Sequence, residues 1–350
     1  MENKLYKGDL SAILAPYKGA KLIVDESIMP LEPKEGLVGG LHVRLMDRIE
    51  RIVSVTTATK DREFTEGKDF FVSDGELVIP KDSGIRIMPW SEYNPTEGNF
   101  DCTLGGKLLF GEGNSFHKIQ YSVTYVPADD LFDGKYFPEK SDRLENSRKI
   151  LESGELKLAF FGDSITYGCN MSGLGEGVPP YMPIYPVLVA EGLREKGYKI
   201  DYYNPSIGGK ASPWGRDTAA YYFDDFAPDL TVIAFGMNDG TGRIPVESFI
   251  GNIGSIVDTI RKSNPKAEFI LVATTLPNPI SKFVGFQSDY EKPLERLADE
   301  KNCAFLNMTE LHRTLMTRKP FHDMTGNNIN HPTDFLARLY AQGILNLINI

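Results

Sequence analysis

From the N-terminus to residue 126, short runs of β-branched and aromatic residues alternate with turn residues: AKLIVDES, GLHVRLM, RIVSVTTAT, KDFFVSDGELVIPKD, GIRIMPW, KLLFGEG and FHKIQYSVTYVP. Within VSDGELVI an Asp-Gly pair separates two such runs, a strong local signal for a hairpin. Strands at this spacing, without a helical period of useful length, predict an all-β domain over residues 1–126, an antiparallel sandwich of jelly-roll type. Residues 127–155 are polar, charged and punctuated by two prolines. They read as a linker, with a short helix over 141–152.

From residue 156 the pattern changes. The apolar runs LKLAFFG, IDYYNPS, LTVIAFG, EFILVAT and CAFLNM are separated by longer segments, several of helical period. Val246, Phe249, Ile250, Ile253, Ile256, Val257 and Ile260, for example, fall at steps of three and four along one helix face. Alternating strands and helices predict a parallel sheet covered on both faces, an α/β/α domain over 156–350. Ligands of such sheets bind beyond the carboxyl ends of the strands. Polar residues do follow the runs there: Asp163 and Ser164, then Gly208 and Gly209, then Asn238 and Asp239, and finally His331 in GNNINHPTDF.

Composition narrows the class of partner. The chain has 350 residues and a net charge of -10, which opposes an electrostatic grip on nucleic acid or an anionic membrane. A small-molecule or oligosaccharide substrate without charge fits better, and nothing in the sequence speaks against a homo-oligomer. No apolar run approaches a membrane span, and no secretory leader is visible in the sequence as it stands, so a cytoplasmic location is expected. Cys102, Cys169 and Cys303 are widely spaced, and the five histidines show no HExxH pattern. Neither a metal site nor an organic cofactor is expected.

A serine hydroxyl becomes a useful nucleophile only with a base in reach and donors for the developing oxyanion. Ser164 at a strand-to-helix corner, a glycine pair that lets backbone approach substrate, the Asn238 carboxamide, and His331 mounted before Pro332 and a terminal helix supply those parts. GDSIT (162–166), NPSIGG (204–209), GMND (236–239) and NINHP (328–332) resemble, in order and spacing, the four blocks of the SGNH or GDSL hydrolases. The resemblance runs from Leu156 to the C-terminus. It implies a flavodoxin-like three-layer fold, Ser164 as nucleophile, the Ser164 amide, Gly209 and Asn238 as oxyanion donors, and His331 as general base. A β-domain ahead of this one is also similar to the layout of certain carbohydrate acetyl esterases.

The resemblance departs from the family at position 328, where Asn stands in place of the Asp that normally orients the base. An amide oxygen accepts a hydrogen bond but carries no charge. Either the enzyme works as a Ser-His dyad helped by Asn328 or a backbone carbonyl, or Asp323 or Asp334 substitutes. Simpler roles compete at several positions: Ser164 and Asp239 as helix caps, Gly208 as a turn residue, and Cys169 as an inert buried thiol. His322 is the rival base, and Asp163 with Asp239 is a poor magnesium site. Tyr167, Tyr181, Tyr185 and Trp214 either wall the cleft or fill the core, and residues 275–287 form a wall or lid.

The expected function is therefore hydrolysis of short acyl esters, acetyl on a carbohydrate foremost, through an acyl-enzyme. The alternatives are an acyltransferase or thioesterase on the same scaffold, or a carbohydrate-binding protein whose hydrolase domain has decayed.

Overall fold

In the computed structural model, which describes residues 6–15, 19–129 and 139–349, the N-terminal residues hold a short helix, α1 (Leu10–Leu14), and eight short strands among those described. These are β1 (Ile23–Ile28), β2 (Leu41–Val43), β3 (Ile49–Thr57), β4 (Phe71–Ser73), β5 (Glu76–Ile79), β6 (Phe100–Asp101), β7 (Lys107–Leu108) and β8 (Tyr121–Pro127), with helix α2 (Trp90–Tyr93) before β6. They pair into three antiparallel sheets, ordered β1-β8-β3, β2-β5-β4 and β6-β7. The Asp-Gly hairpin forms, with Ser73 opposite Glu76 and positive φ at both Asp74 (53°) and Gly75 (79°). Both central residues of a type I′ turn need that sign. GIRIMPW builds no ladder beyond a single bridge from Met88 to Leu31, because Pro89 has no N–H to extend it and instead opens α2.

The expected helix of the linker is α3 (Glu145–Ser153), entered through a 3-10 turn at Asp142–Leu144 in which the Ser141 hydroxyl accepts the Arg143 N–H. Residues 130–138 of that linker lie outside the described residues. Five strands follow: β9 (Glu155–Gly162), β10 (Lys199–Tyr203), β11 (Leu230–Ala234), β12 (Glu268–Ala273) and β13 (Ala304–Asn307). All pair in parallel, in the order β10-β9-β11-β12-β13. The chain leaves β9 toward β10 on one side and later crosses to β11 on the other, so the end of β9 is the point where strand order reverses and a crevice opens.

Between the strands run α4 (Ser164–Tyr167), α5 (Tyr185–Glu195), α6 (Ser212–Phe223), α7 (Met237–Thr241), α8 (Val246–Ser263) and α9 (Glu291–Glu300), and α10 (Met308–Leu315) and α11 (Asp334–Ile348) follow β13. Side chains alternate across β9. Leu158 and Phe160 join the core formed with α5 and α11, whereas Ala159 and Phe161 join the core formed with α6, α8 and α9. A strand apolar on both faces is what a covered parallel sheet requires.

The first of those cores continues into the N-terminal strands, where Ile28, Val55, Val123 and Tyr125 belong to the same cluster of buried residues as Leu158 and Phe160. Strand β1 also grips the segment that carries His331. Ser27 Oγ donates to the Asp323 carbonyl (2.5 Å), Met29 N–H donates to Asp323 Oδ1 (2.6 Å), and Lys319 Nζ lies 2.6 Å from Glu26 Oε1 with both side chains fully buried.

Candidate active site

Strand β9 ends at Gly162, Asp163 caps the next turn by accepting the Ile165 N–H (3.0 Å), and Ser164 opens α4. As the first helical residue, Ser164 has an N–H without a partner inside its own helix. Gly162 is obligatory, since a Cβ there would sit 2.5 Å from the Ala234 carbonyl oxygen and 2.4 Å from Thr166 Oγ1. The corner is thus tight enough to aim the Ser164 hydroxyl past the sheet edge. There His331 Nε2 lies 2.9 Å from Ser164 Oγ, although the residues are 167 positions apart.

Loops from the second and third blocks close around Ser164. A methyl group on Gly208 would be 3.7 Å from Ser164 Cβ, so the backbone passes directly beside Ser164. Gly209 has φ +74°, a left-handed conformation that disfavours any side chain even though the space around it is open. Ser206 Oγ accepts the Gly162 N–H (2.9 Å), and Asn204 Nδ2 donates to the Thr166 carbonyl (3.0 Å), which ties this loop to α4. Asn238 Nδ2 donates to the Lys210 carbonyl (2.9 Å), so its amide faces the glycine loop. Asp239 accepts both the N–H and the hydroxyl of Ser212 at the start of α6, a structural role, although the helix is an earlier one and not the following segment that its sequence position suggested. The geometry draws Ser164, His331, the glycine pair and Asn238 to one end of the sheet.

It does not bring Asn328 to His331. Asn328 Oδ1 instead accepts from Tyr93 Oη (3.1 Å) and Asn278 Nδ2 (3.1 Å), and its Nδ2 donates to the Leu109 carbonyl (3.0 Å). This side chain docks the N-terminal region onto the histidine loop. The acidic candidates are also engaged elsewhere: Asp323 Oδ1 with the Met29 amide, Asp334 Oδ1 with the Ser172 amide. His322 packs edge-on against Tyr93, and burial drives its imidazole down to about 3.

The group beneath His331 is Asn170, absent from the candidates drawn from sequence. Its Oδ1 lies 2.5 Å from His331 Nδ1. A second amide, Asn327 Nδ2, lies 3.0 Å from the same nitrogen. Asn327 Oδ1 accepts the N–H groups of Ile329, Asn330 and His331, which winds the loop that presents the imidazole. Gly326 allows that loop to approach, because a Cβ there would come within 2.7 Å of Asn170 Cβ. The sequence signal for Asn170 was a small polar residue able to adopt positive φ (here +65°) two positions after Gly168, the glycine that ends the helix opened by Ser164.

Burial sets the protonation states. His331 is pushed down to about 4 by desolvation, which leaves its imidazole neutral near pH 7. Desolvation raises Asp163 to about 7 and the Cys169 thiol to about 11, so Cys169 is no competing nucleophile. Among the aromatic candidates, Tyr185 is core: it stacks on Tyr340 and donates its hydroxyl to Thr166 Oγ1. Trp214 packs on Phe161 and Phe235, while Tyr167 is 46% exposed at the end of α4. No helix among the described residues is long and apolar enough to cross a membrane.

A model of the GDSL-like lipase/acylhydrolase family matches residues 160–338. The chain belongs to this family. The match begins inside β9 and ends in α11, so it holds all four blocks. A curated family relative, an arylesterase of Vibrio mimicus, is 27% identical over 121 residues, 35% of this chain and 56% of the relative. This chain therefore spans little more than half the relative's length. Among solved structures, an acetyl xylan esterase, AlAXEase, is 20% identical with a TM-score of 0.46, covering 55% of this chain and all of its own. A two-domain esterase active on acetylated mannans is 24% identical with a TM-score of 0.48, covering 59% of this chain and 52% of its own.

Proposed function

We propose that this protein is a serine esterase that hydrolyses short acyl esters, foremost acetyl esters of carbohydrates. The observation that carries the reading is the 2.9 Å contact between Ser164 Oγ and His331 Nε2 at the crevice end of β9. A decayed site would have no reason to keep that contact beside the bare glycine loop and Asn238. Ser164 and His331 are only 5% and 8% exposed, which favours a small acyl group at the reaction centre.

In the proposed reaction Ser164 Oγ attacks the ester carbonyl carbon while His331 Nε2 takes the hydroxyl proton. The carbonyl π electrons move to oxygen, where the amides of Ser164 and Gly209 and the Asn238 carboxamide receive the charge. Collapse breaks the bond to the alkoxy oxygen, which leaves with the proton held by His331. Water then attacks the acyl-Ser164 ester, gives its proton to His331, and the second collapse returns that proton to Ser164 as the acid departs.

Two results are expected. Asn238→Ala removes one oxyanion donor and lowers kcat about 10²–10³-fold while the KM changes little. The acid limb of kcat/KM falls near pH 4 rather than near 6.5, since burial holds the base down to about 4 and only neutral imidazole accepts the Ser164 proton. A pH–rate profile with half-loss near 6.5 contradicts that assignment. The function itself is tested by release of acid from p-nitrophenyl acetate, butyrate and octanoate and from acetylated xylo-oligosaccharides. Turnover that declines with chain length is expected. No turnover of any ester, or equal turnover by Ser164→Ala, overturns the reading.

A further inference from the structure

We propose that Asn170 is the positioning residue of the base, an uncharged amide that selects the productive tautomer of His331 and is itself held by the N-terminal region. The inference rests on the esterase reading above. It starts from the two partners of the Asn170 side chain, Gly113 and His331. Asn170 Nδ2 donates to the Gly113 carbonyl (2.7 Å), which forces its Oδ1 toward His331 Nδ1 at 2.5 Å. Turning the amide over would set two oxygens against each other at Gly113 and bring an N–H donor to the imidazole. The Gly113 loop, between β7 and β8, thus fixes the polarity of an amide in the hydrolase domain.

That polarity matters because a neutral imidazole carries one proton, and which nitrogen holds it is decided by hydrogen bonding at the other. With Nδ1–H donated to Asn170, the Nε2 lone pair faces Ser164 Oγ and can take its proton. Asn327 offers the opposite. Its Oδ1 is bound by three backbone amides, so its Nδ2 is locked toward Nδ1 at 3.0 Å as a donor. An imidazole that accepted from Asn327 would carry its proton on Nε2, with no lone pair for the serine. The two asparagines therefore compete for one ring nitrogen, and the shorter contact belongs to Asn170. Held by a neutral amide, the imidazole has its tautomer and orientation secured, but the imidazolium that forms in the transition state receives no ionic stabilisation.

The arrangement is tested with two variants and a spectroscopic readout. Asn170→Ala leaves only the Asn327 donor at Nδ1; kcat for p-nitrophenyl acetate is expected to fall about 10²–10⁴-fold, the KM staying within about threefold. Asn327→Asp retains an oxygen for the three loop amides and turns the other terminal atom into an acceptor for Nδ1–H, and Asn330, whose Oδ1 accepts from Asn327 Nδ2 (3.1 Å), can turn its amide over to donate to that oxygen. Placed in the Asn170→Ala background, it is expected to restore kcat at least about tenfold. A purely structural role for Asn170 would not be rescued from the other side of the ring. In ¹⁵N spectra of histidine-labelled protein, the His331 signal is assigned by its loss in His331→Ala. It is expected to report Nδ1–H in the parent and Nε2–H in Asn170→Ala. Unchanged kcat in a folded Asn170→Ala protein, the same tautomer in both, or no rescue by a folded double variant overturns the proposal. Ser164→Ala is assayed alongside. If it matches the parent, the esterase reading fails; if it is inactive while Asn170→Ala matches the parent, only the present inference fails.

Discussion

Ser164→Ala is expected to lower kcat for p-nitrophenyl acetate by a factor on the order of 10⁵–10⁶, with the fold and substrate affinity retained. The size of the effect follows from what remains. Without Oγ there is no acyl-enzyme, and His331, buried and 2.9 Å from the missing oxygen, has little room to activate water in its place. The oxyanion donors on the glycine loop and Asn238 persist, so the residual rate lies above that in water alone. The alanine itself fits: Ser164 Oγ makes its contact to His331 at the crevice, while the helix turn is capped by Asp163. A variant that melts with the parent but keeps only that residual rate is the predicted outcome, checked by steady-state kinetics and thermal denaturation together. A loss of less than about tenfold would place the nucleophile elsewhere.

Lys319→Met is expected to cost about 3–5 kcal/mol of stability, measured by denaturant unfolding. Lys319 Nζ lies 2.6 Å from Glu26 Oε1, 2.7 Å from the Ser27 carbonyl and 4.8 Å from the centre of the Phe335 ring, with no water exposure. Glu26 also accepts the Met46 N–H (2.8 Å) and the Tyr125 hydroxyl (2.8 Å), so its charge is committed to the interior. Removing the ammonium strands that carboxylate without its counter-ion, which is far costlier than the pair is stabilising. Glu26→Gln combined with Lys319→Met is accordingly expected to recover much of the loss. Because the pair joins β1 to the segment leading to His331, the single variant is also expected to lose activity at temperatures where the parent is intact. A single variant within about 1 kcal/mol of the parent would show that the pair is dispensable.

How much of this was legible in the sequence depended on the range of the interactions. The central parallel strands β9, β11 and β12 were readable because each is a largely apolar run with buried residues on both faces, and the hairpin because Asp74 and Gly75 tolerate positive φ. The residues around Ser164 were readable because strand ends in such a sheet share one edge. The partner of His331 was not. The family resemblance pointed to Asn328 and proximity in sequence to Asp323 and Asp334, yet a left-handed turn at Asn328 (φ +66°) sends that side chain to Tyr93 and Asn278. The contact that forms spans 161 positions and depends on the carbonyl of Gly113 in yet another segment. No periodicity records a pairing of that kind. For the same reason the joining of the N-terminal strands to the hydrolase core through Glu26 and Lys319, 293 positions apart, left no trace in the pattern.

Treatment with an activated phosphonate ester, followed by peptide mapping in a mass spectrometer, is the most direct test of Ser164 as the nucleophile. One phosphonyl group on Ser164, introduced in step with the loss of esterase activity and blocked in His331→Ala, is the predicted result. Loss of activity with the adduct on another residue, or full activity after Ser164 has been modified, would contradict it.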